Sequence, residues 1–205
     1  MARRTRLSRL GGLALLLPLV GCGGGAGASA GSGAPPVLRT LADFSLVDQS
    51  GVQRSLKDWA GHPFALAMIF TCCSGPCPEI TAAMHRLQQE LPTGSAIRLV
   101  SLSVDPATDT PAVLASYAKA CGADSARWTF LTGEEAAIHA FIRDSLALAV
   151  DGRRPDVAEA FEPTHSSRIV AVDKQGRVRG YYDAREELGW RALRDTLVLL
   201  EREAP

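Results

Sequence analysis

The chain has 205 residues, 46% of them hydrophobic and 21% charged, with 22 basic and 22 acidic side chains. Four of the basic residues precede Cys22, so the chain after Cys22 carries 18 basic and 22 acidic side chains, a formal net charge of −4. A mildly acidic chain without a basic cluster argues against nucleic acid as a partner, because such binding needs a positively charged surface.

The first 22 residues are typical of a bacterial export signal. Residues 1–12 contain four arginines and no acidic residue, and residues 13–20 form an apolar core too short to span a membrane. The segment Leu19-Val20-Gly21-Cys22 resembles a lipobox, in which the cysteine is acylated and becomes the mature N-terminus. We therefore expect an exported protein, lipid-anchored through Cys22 to a membrane facing the periplasm or the cell exterior. The alternative is an ordinary signal peptide with a chance cysteine.

Residues 23–36, GGGAGASAGSGAPP, carry no charge and no large apolar side chain, which is typical of a flexible tether. A Gly-rich segment of this length has a root-mean-square reach of roughly 20 Å. Residues 37–205 then form one globular domain, long enough to bury a hydrophobic core. Export also places its cysteines in a compartment where unprotected thiols tend to pair.

Apolar periodicity and turn residues predict alternating strands and helices along this domain. In chain order we predict a hairpin over 41–57 turning at Gln49-Ser50-Gly51, a buried strand over 63–71, a helix from Pro78 to about Leu91 and a strand over 96–104. There follow a helix from Thr110 and Pro111 to about Cys121, a strand near 128–131, a helix over 134–144, a strand over 145–150, a hairpin over 167–183 turning at Lys174-Gln175-Gly176, and a helix over 186–202. This order favours an α/β, thioredoxin-like sandwich, with a central mixed β-sheet flanked by helices and an N-terminal β-hairpin.

Three of the five cysteines, Cys72, Cys73 and Cys77, lie in the predicted turn between the buried strand and the next helix. α/β folds commonly place active groups there, and a helix N-terminus favours thiolate over thiol. Cys73 and Cys77 have CxxxC spacing, and Pro76 between them prevents regular helix. Their thiolates can form a disulfide or bind a soft metal, whereas a disulfide between the adjacent Cys72 and Cys73 would be strained.

A metal held by two thiolates needs a further ligand, and the chain has four histidines. His62 lies in a Gly-His-Pro turn, while His85 and His139 lie beside the apolar positions of predicted helices. His62 is interpreted as a solvated loop residue, and His85 and His139 as surface or boundary residues. His165 lies in the loop immediately before the strand that opens the second hairpin. If that strand runs antiparallel to the buried strand 63–71, His165 lies beside the cysteine loop and can meet both sulfur atoms.

The stretch IFTCCSGPCP is similar to the F-T-x-C-x-x-x-C-P signature of the Sco (SCO1/SenC) copper proteins. The resemblance covers about residues 43–202 and continues through DFSLVDQSGVQRSLKDWAGHPF, VSLSVDPATDTPAVLASYAKACG, WTFLTG and THSSRIVAVDKQGRVRGYYD. It implies a thioredoxin-like fold and copper, as Cu(I) or Cu(II), bound by Cys73, Cys77 and His165. It also implies a metallochaperone that helps assemble the binuclear copper centre of cytochrome c oxidase.

The partners implied by this resemblance are the copper-accepting subunit of cytochrome c oxidase and other periplasmic copper chaperones. The N-terminal lipid adds a membrane, and no nucleic acid is expected. Two soft thiolates and one imidazole suit copper chemically. Binding requires reduced thiols and a neutral imidazole, so oxidation to a Cys73–Cys77 disulfide would abolish it.

Several positions depart from the family pattern or stay open. Cys72 stands where relatives often have histidine, and as an extra thiolate it would complete a Cys₃His set, which is also a structural zinc composition. The segment AFEPT before His165 lacks the aspartate common in relatives, a carboxylate that would orient the histidine. Asp105 matches a family landmark and is interpreted as a turn cap, and Cys121 as a buried small hydrophobic residue.

Two other functions compete with the metallochaperone. A thiol-disulfide reductase would use Cys73 and Cys77, without metal, to keep the copper-ligand cysteines of the oxidase subunit reduced. A peroxidase-like thiol enzyme, which such folds also host, is favoured least because no arginine is evident beside Cys73. The leading interpretation makes the chain a binding protein more than an enzyme.

Overall fold

The computed structural model describes residues 33, 35–72, 77–151, 164–183 and 185–204. Their strands are β1 (Arg39–Thr40), β2 (Leu46–Asp48), β3 (Gln53–Arg54), β4 (Phe64–Ile69), β5 (Arg98–Ser103), β6 (Trp128–Thr132), β7 (Val150–Asp151), β8 (Thr164–His165), β9 (Ile169–Val172) and β10 (Arg177–Tyr182). Their helices are α1 (Cys77–Glu90), α2 (Pro111–Ala120), α3 (Glu135–Ala140) and α4 (Glu187–Arg202), with a 3₁₀ turn at Leu56–Trp59 and a π-helical turn at Phe141–Ser145.

Eight of these strands form one mixed β-sheet in the order β1-β10-β9-β4-β5-β6-β2-β3. Its centre, β4, β5 and β6, is parallel, and β9 joins β4 in the antiparallel direction. At the other side β2 pairs antiparallel with β6 and forms a hairpin with β3. The predicted mixed sheet and N-terminal hairpin are therefore confirmed. Strands β7 and β8 form a separate two-stranded sheet.

Strand β4 is buried along its whole length because both faces of the sheet are covered. Ala65, Ala67 and Ile69 contribute to the core shared with α1, α2 and α4. Leu66 and Met68 contribute to the core on the other face, which includes residues of α3. Since successive side chains of a strand point to opposite faces, a strand covered on both sides is apolar throughout. This explains the continuous run FALAMI.

The helices bury the faces that their spacing predicts. Ile80, Met84 and Leu87 of α1 are buried, as is Leu91 just beyond its end. These positions recur every three or four residues, so they form one stripe along the helix. Full burial of each such side chain is worth about 1.5–3 kcal/mol. The stripe attaches α1, and with it the residues at its start, firmly to the sheet.

The region predicted as a helix over 134–144 changes its helix type. Glu134 caps α3 by accepting hydrogen bonds from two backbone amides of the first turn. α3 itself ends at Ala140, and the chain continues as a π-helical turn to Ser145.

The prediction of a strand over 145–150 is wrong for residues 145–149. Of the predicted strand, only Val150 belongs to a strand, β7. Leu146 is fully buried, and its carbonyl accepts a hydrogen bond of 2.8 Å from the Tyr181 hydroxyl. Ala147 has a φ of 50°, which lies outside the β region. The alternation in LALAV therefore reflects the packing of a turn against the sheet.

None of the helices within the described ranges combines the length and apolar character that a membrane span requires.

Candidate metal centre

The predicted cysteine ligands flank the junction between β4 and α1. Cys77 is the first residue of α1, and only 1% of it is exposed. Cys72 is exposed at the end of the described segment that contains β4. Cys73 lies outside the described residues, and so does Cys22. Their roles as metal ligand and lipid attachment site stay predictions.

The strand register brings the segment of His165 to the end of the sheet where the cysteines lie. β9 runs antiparallel to β4 with Leu66 opposite Val170, so the predicted pairing direction is confirmed. If this register is continued beyond both strands, position 165 reaches the level of Thr71. The backbone of His165 ends β8, where it pairs with Val150 of β7. The side chain of His165 lies outside the described residues, and its meeting with the sulfur atoms stays a prediction.

A buried carboxylate holds the residue that precedes the cysteines. The carboxylate of Asp109 accepts a hydrogen bond of 2.5 Å from the Thr71 hydroxyl and contacts of 3.2 and 3.3 Å from the Thr71 amide. It also accepts a 2.6 Å hydrogen bond from the Ser103 hydroxyl. Asp109 and Ser103 are both fully buried. The C-terminal end of β4 is thereby tied to β5 and to the turn before α2.

Sequence reasoning did not identify Asp109. The sequence feature that could have pointed to Asp109 is its position in SVDPATDT. This polar segment lies between an apolar strand and the capped helix that starts after Thr110. Carboxylates in such segments usually serve as turn or helix caps, and the cap here is Thr110, whose hydroxyl accepts from the Val113 amide at 3.4 Å. Nothing in the local pattern shows that Asp109 points to Thr71 instead.

Asp105 lies in the turn that was predicted for it. Its carbonyl accepts hydrogen bonds from the amides of Thr108 at 3.1 Å and Asp109 at 2.8 Å, and its amide donates to the Ser103 hydroxyl at 3.1 Å. Asp105 is 3% exposed. These backbone hydrogen bonds hold the turn together. One of them, from the Asp109 amide to the Asp105 carbonyl, fixes the backbone of Asp109.

Cys77 and Cys121 line one cleft between α1 and α2. The cleft has a volume of about 280 Å³, and its other lining residues are Phe70, Thr71, Pro78, Thr81, Tyr117 and Ala120. Cys121 is half-buried, and its thiol donates to the Ala118 carbonyl at 3.3 Å. Burial raises the pKa of the Cys121 thiol. Cys121 is thus less buried than predicted, although it packs against the core as expected.

The other three histidines lie on separate elements, as the sequence indicated. His62 precedes β4, at the end opposite the cysteines, with Nδ1 3.1 Å from the Ala96 carbonyl. His85 lies in the middle of α1, where Nε2 is 2.9 Å from the Gln89 amide nitrogen. His139 on α3 approaches Glu135 at 4.0 Å. Among the residues that the structure describes, no three His, Cys, Asp or Glu side chains form a metal-binding group.

The chemistry of this end of the sheet fits a soft metal or a redox-active dithiol. Cys77 stands at the N-terminus of a helix of 14 residues, whose dipole stabilises negative charge. Helix N-termini favour thiolate over thiol, and thiolates are the protein ligands preferred by copper in its reduced state. The neighbouring Cys73 and the segment of His165 would complete a site with two sulfur atoms and one nitrogen.

Comparison with known proteins shows the family to which this sequence is similar. The family model SCO1/SenC matches residues 34–195. The SCO1 protein homolog of Bacillus subtilis is 30% identical over 153 residues, which are 74% of this chain and 77% of that protein. A Stutzerimonas stutzeri protein named for copper binding is 30% identical over 152 residues, 73% of this chain and 72% of its own length.

Among solved structures, that of BsSco, described as a member of the Sco family of cytochrome c oxidase assembly proteins, superposes with a TM-score of 0.71 at 24% identity. The superposition covers 84% of this chain and 99% of BsSco, and it confirms the predicted thioredoxin-like fold. Because the family model matches more than half of the chain, from the tether into the last helix, the chain belongs to the SCO1/SenC family.

Proposed function

We propose that this chain is a copper-binding metallochaperone that helps assemble the copper centre of a membrane cytochrome c oxidase. Membership of the SCO1/SenC family, the copper-binding name of the Stutzerimonas stutzeri relative and the oxidase-assembly family of BsSco support it. The observation that carries the proposal is the antiparallel pairing of β9 with β4. It directs the chain segment of His165 to the same end of the sheet as the dithiol loop.

Each ligand has a distinct chemical role in this proposal. Cys73 and Cys77 supply thiolates, and the helix N-terminus favours the charged form of Cys77. His165 supplies a neutral imidazole, which together with two sulfur atoms suits copper. Binding depends on reduced thiols, so a disulfide between the two cysteines would prevent loading. The copper is cargo that passes to the copper-accepting subunit of the oxidase, with other periplasmic copper chaperones as further partners.

Copper titration of the reduced, full-length chain in detergent tests the ligand set. We expect about one copper ion per chain, since three ligands describe one site. Binding should collapse in Cys73→Ser, Cys77→Ser and His165→Ala. The matched controls Cys72→Ser and His62→Ala should bind as the unchanged chain does. Retention of copper by any of the three ligand variants would contradict the proposed set.

Zinc is the competing metal if Cys72 also binds. A Cys₃His set would hold zinc in a closed tetrahedral site. Metal analysis of the untreated protein, repeated on Cys72→Ser, distinguishes the two cases. Zinc that disappears in Cys72→Ser would favour the structural site, whereas copper that persists in it supports the metallochaperone.

A thiol-disulfide reductase is the second candidate function, because the place of Cys77 at a helix N-terminus also suits one half of a redox pair. Such a protein would reduce the copper-ligand cysteines of the oxidase subunit and would need no metal. If His165→Ala keeps full activity in oxidase assembly while both cysteine variants lose it, the reductase replaces the metallochaperone. Equal loss in all three variants supports copper.

For its location we propose an exported protein, attached to a membrane by lipid on Cys22 and held by the tether 23–36. The resemblance of residues 19–22 to a lipobox supports the attachment. Pro35, near the end of this tether, contacts the domain, since its carbonyl accepts a 2.6 Å hydrogen bond from Arg179. The tether would allow the domain to turn within roughly 20 Å of the membrane surface.

A further inference from the structure

Asp109 is a buried acid with an unusual set of partners. Its carboxylate is fully buried, and among the described residues its hydrogen-bond donors are the Thr71 amide, the Thr71 hydroxyl and the Ser103 hydroxyl. All three donors are neutral, and no ion pair within the described ranges involves Asp109. A charged group without a cationic partner is costly to bury.

Two of the three groups that donate to the Asp109 carboxylate belong to one residue, Thr71, which directly precedes the cysteines in the chain. Thr71 uses both its backbone amide and its hydroxyl, so its backbone and its χ1 angle are fixed together. The backbone of Asp109 is also fixed, because its amide donates a 2.8 Å hydrogen bond to the Asp105 carbonyl. The direction in which the chain leaves β4 toward Cys72 is thereby set by the turn between β5 and α2.

We infer that Asp109 is a positioning residue for the dithiol loop. By holding Thr71, it fixes one end of the loop, while the buried start of α1 fixes the other at Cys77. A ligand loop supported in this way pays less to become ordered on binding. This role rests on the proposed function of Cys73 and Cys77 as ligands.

Variants of the two partners separate positioning from general stability. Asp109→Ala removes both carboxylate oxygens that accept from Thr71 and Ser103. We expect copper affinity to fall by roughly 10- to 100-fold, as for other residues that orient metal ligands. Asp109→Asn keeps an acceptor for the Thr71 amide, and hydroxyl groups can rotate to accept from its amide nitrogen. It should therefore lose less affinity than Asp109→Ala.

Substitutions at Thr71 supply a conservative rescue. Thr71→Ser keeps both donors and should bind copper as the unchanged chain does. Thr71→Val keeps the shape of threonine but removes the hydroxyl donor, so its affinity should lie between those of Thr71→Ser and Asp109→Ala. If Asp109→Ala does not fold, the difference between Thr71→Ser and Thr71→Val decides the inference.

Asp173→Asn is the matched control, because Asp173 is equally buried but lies at the far end of β9. All copper titrations are made under conditions where each variant is folded, as judged by circular dichroism. We expect Asp173→Asn to lose stability while copper affinity stays unchanged. Equal losses of affinity in Asp109→Ala and Asp173→Asn would overturn the inference, as would unchanged affinity in folded Asp109→Ala.

Two readouts do not depend on copper. Hydrogen exchange of the Thr71 amide should be slow in the unchanged chain and should reach the rate of an open loop in Asp109→Ala. The reduction potential of the Cys73–Cys77 pair, measured against a dithiothreitol buffer, should also shift in that variant. If the unchanged chain binds no copper, the proposed function fails, while these two measurements still test the positioning by Asp109. Wild-type values for both in Asp109→Ala would refute it.

Discussion

The hydroxyl groups of Thr81 and Tyr117 lie 2.8 Å apart, and this hydrogen bond joins α1 to α2. Thr81 is one helical turn after Cys77, and Tyr117 is one turn before Cys121. The bond therefore lies within the cleft that both cysteines line. The contact links the helix that starts at the dithiol loop to the helix that follows the Asp109 turn.

Removal of this contact should weaken the fold without disturbing the proposed site. We expect Tyr117→Phe to lower the free energy of unfolding by about 1 kcal/mol, the usual net contribution of one hydrogen bond. Thr81→Val should cost a similar amount, and the double variant little more, because both single variants break the same bond. Urea denaturation of the four proteins measures this coupling. Fully additive losses would show that the two hydroxyl groups act independently.

The thiol of Cys121 should react slowly with alkylating reagents. Burial raises the pKa of Cys121, so at any pH below that value a smaller fraction is thiolate, the reactive form. In a Cys73→Ser/Cys77→Ser background, mass spectrometry can follow iodoacetamide labelling of Cys72 and Cys121 from about pH 7 to pH 10. We expect the exposed Cys72 to be labelled first and Cys121 to follow only at higher pH. Equal labelling of both near pH 7 would contradict this prediction.

The stabilising contribution of Asp173 should disappear in acid. Burial alone would raise the pKa of Asp173, but hydrogen bonds from the amide and guanidinium of Arg177 and from Arg179 outweigh it and lower that pKa. A lowered pKa in the folded state means that the contribution is complete above the unfolded value of about 3.9 and is lost as the pH falls through the folded value.

The measurement compares the unchanged chain with Asp173→Asn by urea denaturation at several pH values. At about pH 6 we expect the variant to be less stable by about 2 kcal/mol, since it loses hydrogen bonds between charged groups. This difference should shrink as the pH is lowered below about 4. A difference that stayed constant down to about pH 2 would mean that the carboxylate charge contributes nothing.

Replacement of Cys22 tests the proposed membrane attachment. We expect Cys22→Ser to move the protein from the membrane fraction to the soluble fraction, because the thiol that carries the lipid is lost. Mass spectrometry of the unchanged protein should show an acylated N-terminal cysteine. Recovery of the unchanged protein in the soluble fraction would favour an ordinary signal peptide instead.

Most of the element order could be predicted from the sequence because it rests on local periodicity. The apolar run 63–71, the stripe of Ile80, Met84 and Leu87, and the turn at Lys174-Gln175-Gly176 all specify their structures within a few residues. The prediction of a strand for LALAV was wrong, since alternation of apolar and small side chains cannot distinguish a half-buried strand from a turn that packs every second side chain. There the tertiary contact of Tyr181 with the Leu146 carbonyl decided the outcome.

The sequence by itself determined the dithiol, its place between a buried strand and a helix, and the family to which the chain belongs. Those features depend on residue types and short spacings, which are visible along the chain. Only the tertiary structure decided that β9 lies antiparallel to β4, and that Asp109 holds Thr71 across 38 positions of sequence. A hydrogen bond between such distant residues follows from how the strands and turns pack, and no local pattern encodes it.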